Sequence, residues 1–140
     1  MLEILGSKVE PEDLGLFDAD ILAMAAEIHW KMAEDREGGE PKVDIYCPLS
    51  NGEKCNKTVI DIVSDDYAFL VDSVVAEINR HNLLIDLLLH PIVYADYSPK
   101  GELRDMQAER DEKLLRQSHI HIHINETLTP QVQKALEQGL

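Results

Sequence analysis

Val59-Ile60-Asp61-Ile62-Val63-Ser64-Asp65-Asp66 leads into Phe69-Leu70-Val71-Asp72-Ser73-Val74-Val75, and the change of period between them decides the fold. The first stretch alternates and is rich in β-branched residues, which is the pattern of a strand. In the second, Phe69, Leu70, Val74, Val75 and Ile78 recur at three- and four-residue spacing, which predicts a helix over 67–80 with those residues buried. Asp65 or Asp66 is placed to cap it, and Asn79-Arg80-His81-Asn82 closes it with cationic and αL-tolerant residues.

Downstream, Leu83 to Leu89 is apolar except for Asp86 and reads as a central strand. Pro91 cannot donate to a ladder, so the strand is expected to end or bulge there, and Ile92-Val93-Tyr94-Ala95-Asp96-Tyr97 resumes it. Residues 98–117 are polar after a Pro99-Lys100-Gly101 turn. They are read as a loop, either mobile or holding a helical turn or two. Ile120, Ile122 and Ile124 then alternate with His119, His121 and His123, giving a strand with one apolar and one histidine face. Thr129 caps a last helix with Pro130 at its first position, and Gly139 is a plausible stop.

Upstream, Val43-Asp44-Ile45-Tyr46-Cys47 alternates and is separated from the 59–63 strand by Pro48-Leu49-Ser50-Asn51-Gly52, so the two are read as a hairpin. Cys47 and Cys55 flank its loop at a spacing that fits no standard zinc motif, and they are read as thiols. Further back, Asp18-Ala19-Asp20 can cap a helix running to about Arg36. Its apolar stripe is Ile21, Met24, Ala25, Ile28 and Met32, with His29 and Trp30 beside the stripe. Gly38-Gly39 supplies its stop, and Trp30 is expected to anchor it.

From residue 58 the order is strand, helix, strand, strand, helix, which is five-sixths of a βαββαβ split unit. The fold class is therefore α+β, a ferredoxin-like antiparallel sheet with helices on one face, plus an N-terminal helix. It is organised as a helical lead-in (1–40) and an α+β domain (41–140). The last strand of the unit is missing, as in a chain truncated before it, and the 43–47 strand could take the vacant edge.

Composition sets the outer limits. The 140 residues are 44% hydrophobic and 29% charged, which is enough for one domain with its own core. Thirteen Lys+Arg against 27 Asp+Glu leave a net charge of -14, weighing against nucleic-acid and anionic-membrane partners. No apolar run reaches the ~18 residues of a membrane span, and the N-terminus carries no signal pattern, so the reading is a soluble, cytoplasmic chain. No GxGxxG, P-loop, GxSxG, CxxC or HExxH spacing occurs. The segment is read as non-catalytic, with no cofactor of its own.

Two groups of side chains still carry possible chemistry. His119, His121 and His123 share a strand face, and two neighbouring imidazoles could lean onto one zinc with Asp86 as a carboxylate. A helix-covered or exposed polar face is the plainer reading. Asp72 and Ser73 interrupt a helix that does not ask for them, so a structural polar cluster with His90, or contact with another domain, is expected.

The 59–66 and 69–74 stretches together resemble the N-terminal region of large bacterial NAD-specific glutamate dehydrogenases. Supporting matches are Pro11-Glu12-Asp13-Leu14, His29-Trp30, Pro41 with Val43–Cys47, Leu87-Leu88-Leu89-His90-Pro91 and His121-Ile122-His123-Ile124, so the likeness covers about residues 9–140. The resemblance implies an ACT-like regulatory or assembly domain ahead of a catalytic part that lies outside these residues. It also implies NAD in the parent enzyme, and other domains and subunits as partners. It places an amino-acid effector at the first strand-to-helix turn: Ser64, Asp65, Asp66, Tyr67, Ala68 and Phe69. The alternatives are a free-standing amino-acid-binding module, or a small metal-binding protein or hydrolase built on the three histidines.

Overall fold

The computed structural model describes residues 19–35, 41–47, 49–50, 53–54, 57–66 and 69–139. Residues 1–18, 36–40, 55–56 and 67–68 lie outside them, as do Pro48, Asn51, Gly52 and Leu140. The Asp18 cap, the Gly38-Gly39 stop, the Asn51-Gly52 turn and Cys55 are therefore not described. In chain order the elements are α1 (Ala19–Asp35), β1 (Lys42–Tyr46), β2 (Leu49–Ser50), β3 (Glu53–Lys54), β4 (Thr58–Asp65) and α2 (Leu70–Arg80). There follow β5 (Ile85–Leu89), β6 (Ile92–Tyr97), β7 (Leu103–Gln107), β8 (Leu115–Ile124) and α3 (Pro130–Gly139).

Six strands form one antiparallel sheet in the order β1-β4-β8-β6-β7, with β5 also paired to β8; β2 and β3 make a separate two-stranded ribbon. The architecture is α+β and consistent with an ACT-like domain. Within the split unit, β4, β8 and β5–β6 take the places of its first, third and second strands. The edge that a final strand would occupy is filled by β1, antiparallel to β4 from Lys42↔Val63 to Tyr46↔Val59. The hairpin predicted between these two stretches thus also closes the sheet.

The ten-residue strand β8 is long enough to serve two partners on one side. β5 runs beside its Ile124–His121 end, and β6 beside its Ser118–Leu115 end. Between them the ladder skips at His90-Pro91. Pro91 has no N–H to offer, but its carbonyl still accepts the His119 amide at 3.1 Å. Asp86, expected to face the histidines, sits at the irregularity between Ile85 and Leu87 and is exposed.

One residue in two points to each side of the sheet, so the two sides have separate chemistries. Ile60, Ile62, Ile120, Ile122 and Ile124 form a core with Val74 and Ile78 of α2 and Leu136 of α3. α1 lies on the other side. Its Ala33, with Trp30 and Met32 partly buried, packs in a second cluster around Val63, Val93, Ala95 and Met106. The sheet is thus covered on both faces.

Several local expectations change. Residues 98–117 are not a loop with helical turns: they contain the edge strand β7 and the first residues of β8. Only Leu103 and Met106 of β7 pack on the core, so the strand carries little apolar signal. Neither Asp65 nor Asp66 caps α2. Its N-cap is Phe69, left-handed at φ 63° and without a side-chain cap bond, while the Asp66 carboxylate is drawn to Arg116 Nε at 2.9 Å. Phe69, expected in the buried face, is 77% exposed, because the left-handed turn swings it off the helix stripe. Two other helix-end signals hold. Asn82 takes φ 59° after α2, and Thr129 Oγ1 accepts the Val132 amide at 3.3 Å at the start of α3.

Candidate functional site

The histidine face of β8 is buried beneath α1, and the burial is complete. His29, Asp61, His119 and His121 are all 0% exposed. Register explains the meeting of strands: Asp61 of β4 lies directly opposite His121 of β8, with Val63 opposite His119 and Val59 opposite His123. Helix period explains the third contributor. Ala25, His29 and Ala33 stand four residues apart on one stripe, all fully buried, and the two small alanines leave room for the imidazole between them. Asp61, His29 and the diagonal Tyr46 of β1 are what the sequence reading did not assemble. The available signal was a carboxylate in an otherwise apolar strand and a histidine on the stripe of a helix.

Asp61 is the hub. Oδ1 accepts from His29 Nε2 at 2.7 Å and from His121 Nδ1 at 2.6 Å, and Oδ2 accepts from the Tyr46 hydroxyl at 2.6 Å. These are the lengths of charge-assisted hydrogen bonds. Burial pushes the Asp61 carboxyl up, but the His29 charge, the bonds from His121 and His29 and the His121 charge outweigh it, holding the group well below the usual carboxylate range. The same environment raises Tyr46, by burial first and then by the Asp61 charge, so the phenol keeps its proton and donates.

A second chain of bonds sets the proton positions. The Tyr97 hydroxyl gives its one hydrogen to the Ala33 carbonyl at 2.8 Å. Gln117 must then turn its amide nitrogen to Tyr97, at 2.7 Å, and its oxygen to His119 Nε2, at 3.0 Å. His119 therefore donates from Nε2. His119 Nδ1 and His29 Nδ1 lie 3.0 Å apart and share one hydrogen, and His29 Nε2 donates to Asp61. Two imidazoles thus hold three hydrogens, and the pair carries one positive charge against the Asp61 carboxylate. On the other flank His121 Nε2 meets His123 Nε2 at 2.8 Å. Burial first, then the charges of His121 and Lys57, press His123 down to about 3, so it is neutral. No described buried side-chain polar atom lacks a partner.

The donor atoms of His29, Asp61 and His121 all lie within 4.8 Å of one another, close enough to hold a metal ion. All three are fully buried, with none of their surface reaching solvent.

The remaining predicted residues are dispersed. Ser64 is buried with its hydroxyl on the Asp65 carbonyl at 2.9 Å, Asp66 is in its ion pair, and Tyr67 and Ala68 lie outside the described residues. Asp72 and Ser73 are exposed on α2. His90 bonds the Ser118 hydroxyl at the break between β5 and β6. Cys47 donates to the Lys57 carbonyl at 3.4 Å.

The sequence profile described as "Glutamate dehydrogenase, ACT1 domain" matches residues 1–140, and the chain belongs to that family. It is 26% identical over 115 residues to the NAD-specific glutamate dehydrogenase of Pseudomonas aeruginosa, a match that takes in 79% of this chain and 7% of that enzyme. The chain thus corresponds to a small part of that relative's length. No solved structure matches it.

Proposed function

We propose that this ACT1 domain is a non-catalytic regulatory and assembly module of a large NAD-dependent glutamate dehydrogenase, whose reaction converts L-glutamate to 2-oxoglutarate and ammonium. The observation that carries the reading is the burial of every acid–base group in the histidine cluster, in a chain that aligns with 7% of a long dehydrogenase. NAD and glutamate are assigned to the parent enzyme, and the partners of this domain are its other domains and neighbouring subunits.

The contact face of the module is the end of the sheet where α2 begins. Phe69 is 77% and Leu115 61% exposed, and the Asp66–Arg116 ion pair joins the segments that carry them. Large apolar side chains exposed beside a fixed ion pair suit a protein contact better than solvent. An amino-acid effector bound between subunits would use the same turn, Ser64 to Phe69.

The test is made in the full-length polypeptide. Phe69→Glu with Leu115→Glu should lower the oligomeric mass by light scattering, or abolish the response to amino-acid effectors, while the basal glutamate oxidation rate per active site holds. Loss of the basal rate with mass and effector response intact would overturn the reading.

A further inference from the structure

We propose that His29, Asp61 and His121 form a structural site for a zinc-class divalent ion, which staples α1 to the sheet. Three elements contribute one donor each: Nε2 of His29 from α1, Oδ1 of Asp61 from β4 and Nδ1 of His121 from β8, all within 4.8 Å. Two imidazoles and a carboxylate suit zinc and its neighbours rather than calcium or magnesium.

The surroundings favour a cation at this point. Each donor has its far side already held: His29 Nδ1 by His119, Asp61 Oδ2 by Tyr46, and His121 Nε2 by His123. Metal ligands are oriented in this way by their outer partners. The bond chain from Ala33 through Tyr97, Gln117 and His119 is satisfied when His29 carries its hydrogen on Nδ1. That leaves the Nε2 lone pair aimed at a carboxylate oxygen, and two acceptors cannot face each other without a positive charge between them. The charge is either an added proton or a metal ion. Asp44 lies opposite Asp61 across the β1–β4 ladder, so two carboxylates are present to balance a dication.

The change of state is small and balanced. At 2.7 and 2.6 Å the nitrogens sit at hydrogen-bonding distance from Oδ1. A tetrahedral ion with bonds of about 2.0–2.1 Å needs edges of about 3.3 Å, so each ring must back away by roughly 0.6 Å, and the fourth position falls to a water that enters with the ion. His29 gives up its Nε2 proton and His121 its Nδ1 proton to solvent as the ion takes their places, while His121 keeps the Nε2 hydrogen that it gives to His123. Two protons leave for each dication bound, and no redox step is involved. Because the site is closed, the ion enters when α1 is lifted or as the chain folds.

The test uses the 140-residue chain, stripped with chelator and labelled with ¹⁵N. Zinc chloride is added either to the folded protein or before refolding from urea. The expected result is one zinc per chain, coordination shifts at His29 Nε2 and His121 Nδ1 in histidine ring ¹⁵N spectra, and release of about two protons by calorimetry in two buffers. Cobalt(II) should give one visible d–d band that Asp61→Asn abolishes and a Cys47→Ser, Cys55→Ser double variant keeps. Ring nitrogens unchanged at excess zinc by both routes would mean a proton-only cluster and overturn the site. So would a cobalt band lost in the cysteine variant, or zinc that unfolds the chain. Should Asp61→Asn fail to fold, the wild-type ring shifts still decide. The inference concerns a stability site inside the domain, so its failure leaves the assembly reading intact, and the converse also holds.

Discussion

The two faces of one sheet are built by the same strands, β4 and β8, and are equally dry, yet they are held together on different terms. On one side Ile60, Ile62, Ile120, Ile122 and Ile124 meet α2 and α3. On the other, Asp61, His119, His121 and His123 meet His29 of α1. The isoleucine face needs only volume and apolarity, and it tolerates exchange of one aliphatic residue for another. The histidine face is specified atom by atom: both ring nitrogens of His29, His119 and His121 have named partners, and a chain of bonds links the Ala33 carbonyl to the Asp61 carboxylate, with each end accepting. Hydrophobic burial brings α2 and α3 to the sheet. Hydrogen bonding sets the rotation and height at which α1 sits.

The sharpest way to break this contrast is to remove the hub. Asp61→Ala leaves a buried imidazolium, His121 and the Tyr46 hydroxyl without their acceptor. The expected destabilisation is about 3–5 kcal/mol, read as a shift in the urea midpoint, with α1 detaching first in hydrogen exchange. Replacing His29, Asp61 and His121 together by apolar residues of similar volume should recover most of that loss, since a buried charge set is costly chiefly when half-removed. A triple variant no better than Asp61→Ala would mean the cluster is a true stability core, and the contrast between the faces would collapse.

Acid should separate the faces next. His123 is pressed down to about 3 by burial first, then by the charges of His121 and Lys57. Between that value and the ordinary imidazole range near 6.5, the unfolded chain binds a proton that the folded chain refuses. Stability therefore falls as pH drops through this window, by up to about 1.4 kcal/mol per unit. Asp61, held below its ordinary range, contributes stability present above about pH 4 and lost further down. Chemical denaturation from pH 7 to 4 checks this. His123→Leu should flatten the upper part of the slope, whereas apolar-face variants should leave its shape unchanged.

What could be read from the sequence follows the same division. Period-two alternation at 119–124 assigns each residue to a face without knowledge of any partner, so the strand, the apolar core and the polar side were all legible. The alternation also located β1 and β4, and three- and four-residue spacing located the helix between β4 and β5. The meeting of His29, Asp61 and His121 was not legible, because the residues lie 32 and 60 positions apart. Only the β4–β8 register and the docking of α1 bring them together. Asp86 had the better sequence position on an adjacent strand, but a one-residue irregularity in β5 leaves it exposed. β7 was illegible for a different reason. An edge strand with Leu103 and Met106 as its packed residues has almost no apolar period to detect.

A milder substitution on the apolar side gives the comparison its scale. Ile122→Val removes one methylene from a fully buried position and should destabilise by about 0.5–1.5 kcal/mol, with an unchanged pH profile and an unchanged zinc stoichiometry. If this variant altered either, the two faces would be coupled through the strand that carries them, and neither could be treated as a separate layer.

The smallest expected effect lies where the two faces end, at the turn before α2. Phe69 is left-handed at φ 63° and lacks a cap bond, and with 77% of its surface exposed it gains little from packing. An L-residue in this conformation costs roughly 1–2 kcal/mol, and glycine would relieve that while adding roughly 0.5–1 kcal/mol of unfolded-chain entropy. Phe69→Gly should therefore stabilise the isolated chain by about 0.5 kcal/mol in urea denaturation. In the full-length polypeptide the same variant should weaken assembly, as the proposed contact through the Phe69 side chain requires. A residue stabilising in both settings would show that the strain serves no partner, and the contact face would have to be sought at Leu84 or at the β7 edge instead.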